Sequence, residues 1–161
     1  MTIRTTTPNF LDNPPMPAQA KIAAAWTSFM FLYIYVDYFG LYKPGHVKGI
    51  LDGKVWVLDV SPNLLTGMLA SVAVPAMMVA LSIALSARIS RATNLVVAAL
   101  YIPYSAFNAA GATWDWAPFY GLSIGLEVLL LAFIMRVAWT WPRVAVVPEP
   151  AMVAARKQGA V

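Results

Sequence analysis

Asp37 and Glu127 each stand inside a long apolar stretch, residues 22–42 and 117–141. An ionised carboxylate in such surroundings is costly, so each needs a partner or a proton. Asp37 falls about five residues from the end of its stretch, roughly 7–8 Å deep, and Glu127 lies ten residues into its own, close to the middle. Asn108, Tyr33, Tyr104, Tyr120 and Ser123 are spaced so that they can share helix faces with these carboxyls. Three kinds of chemistry fit the set. The polar groups can act as hydrogen-bond glue between helices, each contributing under about 2 kcal/mol. They can form a pocket for a small polar or cationic ligand, or a proton relay, with Asp37, Asn108, Glu127, Tyr33, Tyr104 and Tyr120 as the ligand-binding candidates. They can also supply acid–base chemistry on lipid or quinone, although no nucleophile–base pair accompanies them and no catalytic residue is assigned.

The composition removes several alternatives. The chain has no cysteine, which excludes disulfides, thiol redox chemistry and thiolate metal sites. His46 is its one histidine, so a multi-histidine metal site or bis-histidine haem cannot form within one copy. No metal and no cofactor is expected. The net charge of +4 does not indicate nucleic acid, because the basic residues are spread over tails and connections. With 60% hydrophobic and only 11% charged residues, the 161-residue chain is suited to a lipid bilayer.

The elements that must position the candidates are four apolar stretches of spanning length, and the expected fold is all-α, a membrane-spanning four-helix bundle. Residues 1–20, with Pro8, Pro14, Pro15 and Pro17, read as a flexible tail. No signal peptide is expected, because Ala18-Gln19-Ala20 precedes the first apolar stretch instead of following it. The spans are predicted at about 22–42, 64–87, 94–112 and 117–141, within a transmembrane domain of residues 21–142. Lys43-Pro44-Gly45 closes the first span, Ser61 starts the second, Arg88 and Arg91 end it, and Pro118 opens the fourth. Pro75 and Pro103 interrupt the second and third as kink positions. Residues 43–62 form the one long loop, apolar enough to lie on the membrane interface, and residues 143–161 a second flexible tail. Gly121 with Gly125, and Ala76, Ala80 and Ala84, offer small-residue stripes for close helix contact.

Eight basic residues lie towards the tails and the 88–91 turn, against three in the 43–62 loop. The positive-inside rule then places both termini in the cytoplasm of a multi-pass protein in the cell's inner (plasma) membrane. Trp26, Tyr42, Trp56, Trp114, Trp116, Trp139 and Trp141 read as interfacial anchors, Arg136 as a side chain snorkelling to headgroups, and His46 as a loop residue.

The order Trp26, Asp37, Lys43-Pro44-Gly45, VPAMMVALS at 74–82, Asn94 and EVLLLAFIMRVAWTW at 127–141 resembles a family of small bacterial four-helix membrane proteins of unknown function. The similarity covers roughly residues 21–142, and a more distant likeness to DoxX-type proteins is one of fold. The resemblance implies fold and location but no activity. It also implies an acidic residue just before the proline of the second helix, where this chain has Ala73 and Val74. Two roles are carried forward. One is binding or passage of a small ligand, proton or cation through an outward-half pocket, with homo-oligomerisation because four helices are few for alternating access. The other is an accessory or scaffold subunit of a larger membrane complex. A membrane enzyme ranks below both.

Overall fold

The computed structural model describes residues 15–110 and 112–142. Both terminal tails expected to be flexible lie largely outside these residues, except that Ala18, Gln19 and Ala20 already belong to the first helix. The fold is mostly helical: α1 (Ala18–Gly40), a short α2 (His46–Leu51), α3 (Pro62–Ala84), α4 (Ala87–Phe107), a 3₁₀ turn (Trp114–Trp116) and α5 (Ala117–Trp139). The 43–62 loop is not wholly helical or irregular. It carries a small antiparallel hairpin of β1 (Lys54–Val55) and β2 (Leu58–Asp59). Three helical stretches are long and apolar enough to cross a membrane: α1, α3, and Trp114–Trp139, which holds α5.

α1 packs on α3 and α5, α5 packs on α4, and α4 rests more lightly on α3. At one end Gln19 Nε2 donates to the Leu85 carbonyl and Arg91 Nε to the Ala138 carbonyl, joining the start of α1, the α3–α4 turn and the end of α5. At the other end Lys43, just beyond α1, reaches Tyr120 at the start of α5. Successive long helices therefore alternate in direction.

Each long helix buries one narrow face at helical spacing. In α1 these are Ile22, Trp26, Phe29 and Tyr33; in α3 Pro75, Met78 and Ser82; in α4 Ser90, Asn94, Ala98, Tyr101 and Ser105; in α5 Ser123, Glu127, Leu131, Ile134 and Ala138. The opposite faces leave Phe31, Ile34, Leu69, Leu100, Leu122 and Leu129 exposed, as lipid-facing side chains would be. The core is joined by rings. Trp26 meets Phe29 and Tyr101 edge-on at 5.6 and 6.2 Å between centroids, Phe29 stacks on Tyr33 at 6.0 Å, and Tyr33 stacks on Tyr104 at 6.4 Å.

Several sequence expectations shift. Trp26 is not an interfacial anchor: α1 begins at Ala18, so Trp26 stands about two turns inside it and is fully buried. Trp56, Trp114, Trp139 and Tyr42 are exposed, as anchors are. Arg88 and Arg91 do not end the second helix, which stops at Ala84; they occupy the first turns of α4, which begins at Ala87 instead of near Asn94. α4 ends at Phe107, so Asn108 flanks the helix rather than standing within it. α1 ends at Gly40, which puts Asp37 about one turn from its end. The small-residue stripes do not bring this chain's helices together, because Gly121, Gly125, Ala76, Ala80 and Ala84 all face outward and nothing lies within 4 Å of a Cβ added at either glycine.

Both internal prolines sit within continuous helix. Pro75 has no N–H to offer the carbonyl of Ser71 one turn earlier. The hydroxyl of Tyr101 on α4 donates to that carbonyl instead. A side chain from the neighbouring helix thus replaces the missing backbone bond, which is how prolines are accommodated in apolar helices.

Candidate functional site

Two groups of buried polar side chains lie along α4. Towards its start, Asn94 Oδ1 accepts from the indole Nε1 of Trp26 at 2.6 Å and from Ser82 Oγ at 3.1 Å. Asn94 Nδ2 donates to the Ser90 carbonyl at 2.8 Å, and Ser90 Oγ donates to the Ser82 carbonyl at 3.0 Å. Asn94, Ser82, Ser90 and Trp26 are all fully buried. The network ties α1, α3 and α4 together and is closed to the outside. Sequence reasoning placed Asn94 at the start of the third span and within a family resemblance, and missed the network, since its partners Trp26 and Ser82 come from other helices.

The second group gathers the sequence candidates. Tyr33, Asp37, Asn108, Tyr120 and Glu127 line a cavity of about 120 Å³ between the end of α1, the end of α4 and the start of α5. Tyr104, with Tyr33, Asp37, Asn108 and Tyr120, lines an adjoining space of about 380 Å³ that extends towards α3 and the hairpin. All six candidates therefore meet at one end of the molecule. Tyr33 Oη donates to Tyr104 Oη at 3.1 Å. Asp37 is accessible within this opening, whereas Glu127 is 1% exposed. Ser123, one turn before Glu127, is turned inward but uses its hydroxyl on the Tyr120 carbonyl.

Glu127 sets this group apart. Among the described residues its Oε2 is buried and makes no hydrogen bond of good geometry, and neither does the buried hydroxyl of Ser105, which stands close enough across the α4–α5 contact to interact with the carboxyl. Native structures pair nearly all such atoms, and an orphan calls for an explanation. Here the carboxyl is at the floor of a cavity that opens past Asp37.

Two residues that sequence reasoning assigned to the loop also line both spaces, Lys43 and His46. Lys43 Nζ donates to Tyr120 Oη at 2.7 Å and lies 4.8 Å from the Tyr120 ring centre and 5.2 Å from that of Trp116. Gly45, at φ 81°, makes the left-handed turn between them, a conformation that favours glycine. Trp56, in the hairpin turn, lines the larger space at φ 55°, which is strained for a residue with a side chain. A lysine at a helix end gives no sequence signal of this role, because the rings that receive it come from nearly eighty residues later.

A protein-family model, that of a family of unknown function (DUF6326), matches residues 17–146. No curated protein matches the chain, and no solved structure does.

Proposed function

The chain belongs to that family of unknown function, and we propose that it is a four-span membrane protein that holds a small ligand, cation or proton in the outward-half pocket. α4 is the fourth span of the bundle. Its 21 residues reach roughly 31 Å, its only charges are Arg88 and Arg91 in the opening turns, and the remainder is uncharged. Arginines at that position snorkel to headgroups. Lys21, Arg88, Arg91 and Arg136 then share one end of the bundle, and Lys43, Lys48 and Lys54 the other. The basic excess on the first end, with both tails, orients the protein in the inner membrane with its termini cytoplasmic and the 43–62 segment external.

The observation that carries the reading is the orphan Glu127 carboxyl at the floor of the cavity. Were Glu127 hydrogen-bond glue, a neighbouring helix would answer both its oxygens, as Asn94 is answered. A site that awaits a ligand leaves such a group without a bonded partner in the protein, on a residue that lines the cavity.

Thermal unfolding of the detergent-solubilised protein with a panel of small molecules tests this, using wild type, Asp37→Asn and Glu127→Gln. A compound that raises the wild-type midpoint and not those of the variants establishes the site, since stabilisation follows ligand concentration over Kd. If no compound shifts wild type and the variants only melt lower, the pocket reading fails.

A second reading has its own observation. The Gly121–Gly125 and Ala76–Ala80–Ala84 stripes face away from the chain's own helices, and small residues are what close helix contacts in a membrane use. They suit a homo-oligomer or an accessory role in a larger membrane complex. Co-purification with a fixed partner would favour it.

A further inference from the structure

Resting on the pocket reading, we propose that the ligand is a small organic ammonium with an apolar body, and that the Lys43 side chain occupies the mouth of its site as a tethered competitor. The molecule already shows how this opening receives an ammonium. Lys43 Nζ donates one hydrogen bond to Tyr120 Oη and stands over the faces of Tyr120 and Trp116. Ring faces attract cations, more strongly where water is excluded. Among the described residues Lys43 has no carboxylate within ion-pair distance, the one such pair being Lys54–Asp59 in the hairpin. An ammonium has three donors, and the described contacts use one of them.

Deeper in the same cavity are the two groups an ammonium would satisfy and Lys43 does not bond, Asp37 and Glu127. An anion entering here meets two carboxyl groups, and a neutral apolar molecule leaves the Glu127 carboxyl as unanswered as before. An ammonium supplies donors to the Asp37 carboxyl, accessible in the opening, and to the part of Glu127 that lines the cavity. His46 stands at the rim beside Lys43 and is the other basic group facing the opening. The body of the ligand is set by the adjoining space of about 380 Å³, whose walls include Trp56, Leu58, Leu64, Met68, Val72 and Phe107. That volume, with a polar floor on one side and apolar walls on the other, matches a compact amphiphilic amine better than a bare metal cation.

Thermal unfolding of the full chain with butylammonium, butanol or butyrate, at matched concentration and ionic strength, tests the proposal on wild type, Lys43→Gln, Lys43→Arg and Glu127→Gln. Butylammonium is expected to raise the wild-type midpoint while its neutral and anionic counterparts do not. Its apparent affinity is expected to rise roughly tenfold in Lys43→Gln, where the competing cation is gone, and to stay near wild type in Lys43→Arg, which retains one. The shift is expected to vanish in Glu127→Gln. If butanol or butyrate stabilises the protein as well as butylammonium, and Glu127→Gln abolishes that effect, the ammonium assignment is overturned while the pocket stands. Weaker butylammonium binding in Lys43→Gln overturns the competitor role. If none of the three probes shifts wild type, the ammonium assignment fails, and the pocket reading falls with it only when the wider panel is silent too.

Discussion

Asn94 and Ser105 lie on the same buried face of α4, about three helical turns apart, and meet opposite circumstances. Around Asn94, the Trp26 indole, the Ser82 hydroxyl and the Ser90 carbonyl take up the amide's oxygen and nitrogen, and the whole network is shut away from solvent. Around Ser105, the hydroxyl and the nearby Glu127 Oε2 find no partner, and the carboxyl borders an open cavity. In lipid the apolar surroundings do not by themselves hold helices together, so a closed polar network fixes which faces meet. An open one cannot serve that purpose, because its groups are not committed to each other. The difference separates a closed polar network from one whose groups are left uncommitted, and on the proposed reading the second is the part that receives a ligand.

The largest effect expected on stability comes from the closed region. Asn94→Leu removes the bonds from Trp26 and Ser82 on neighbouring helices and the two to Ser90 within α4, and leaves the Trp26 N–H buried without an acceptor. At about 0.6–1.7 kcal/mol for each of the two interhelical bonds, the loss is about 1–3 kcal/mol. It is read as a lowered midpoint in thermal unfolding, with no change in any ligand response that survives folding. A variant as stable as wild type would remove the distinction between the two regions.

A smaller effect lies between them. Tyr101→Phe withdraws the hydroxyl that answers the Ser71 carbonyl, which Pro75 leaves free. The expected cost is about 1 kcal/mol. A double-mutant cycle sharpens the assignment, because Pro75→Ala restores a backbone N–H that can bond Ser71 itself. In the Pro75→Ala background the Tyr101→Phe cost should fall by half or more; an undiminished cost means that Tyr101 acts through its ring contacts with Trp26 and Phe29 instead.

The outer half of this contrast was visible in the sequence and the closed network was not, for physical reasons. Apolar stretches of spanning length revealed the long helices, and the gathering of Asp37, Asn108, Glu127, Tyr33, Tyr104 and Tyr120 at one end followed from their distance along those stretches. Apolarity says little about which face of a membrane helix is buried, since lipid accepts the same side chains as a core does. The glycine and alanine stripes were accordingly assigned inward and are found outward. Helix starts are equally faint where no charge marks them. Trp26 looked like an anchor and Asn94 like the first residue of its span because α1 and α4 begin four and seven residues earlier than the apolar stretches suggested. Lys43 was hidden for a different reason, its partners Trp116 and Tyr120 being brought to it only by packing of α1 against α5.

The smallest expected effect is also the one that tests the contrast most directly. Glu127→Gln keeps the size of the side chain and exchanges a carboxyl for an amide. If Oε2 has no partner to lose, the substitution changes stability by no more than about 0.5 kcal/mol, and Ser105→Ala, removing the other orphan, behaves the same way. A buried polar residue whose replacement costs nothing is unusual, and it is what a group held for a ligand predicts. A loss above about 2 kcal/mol in unliganded Glu127→Gln would mean that the carboxyl is bonded within the protein after all. The outer region would then be a second packing network like the one around Asn94, and α4 would carry no site along that face.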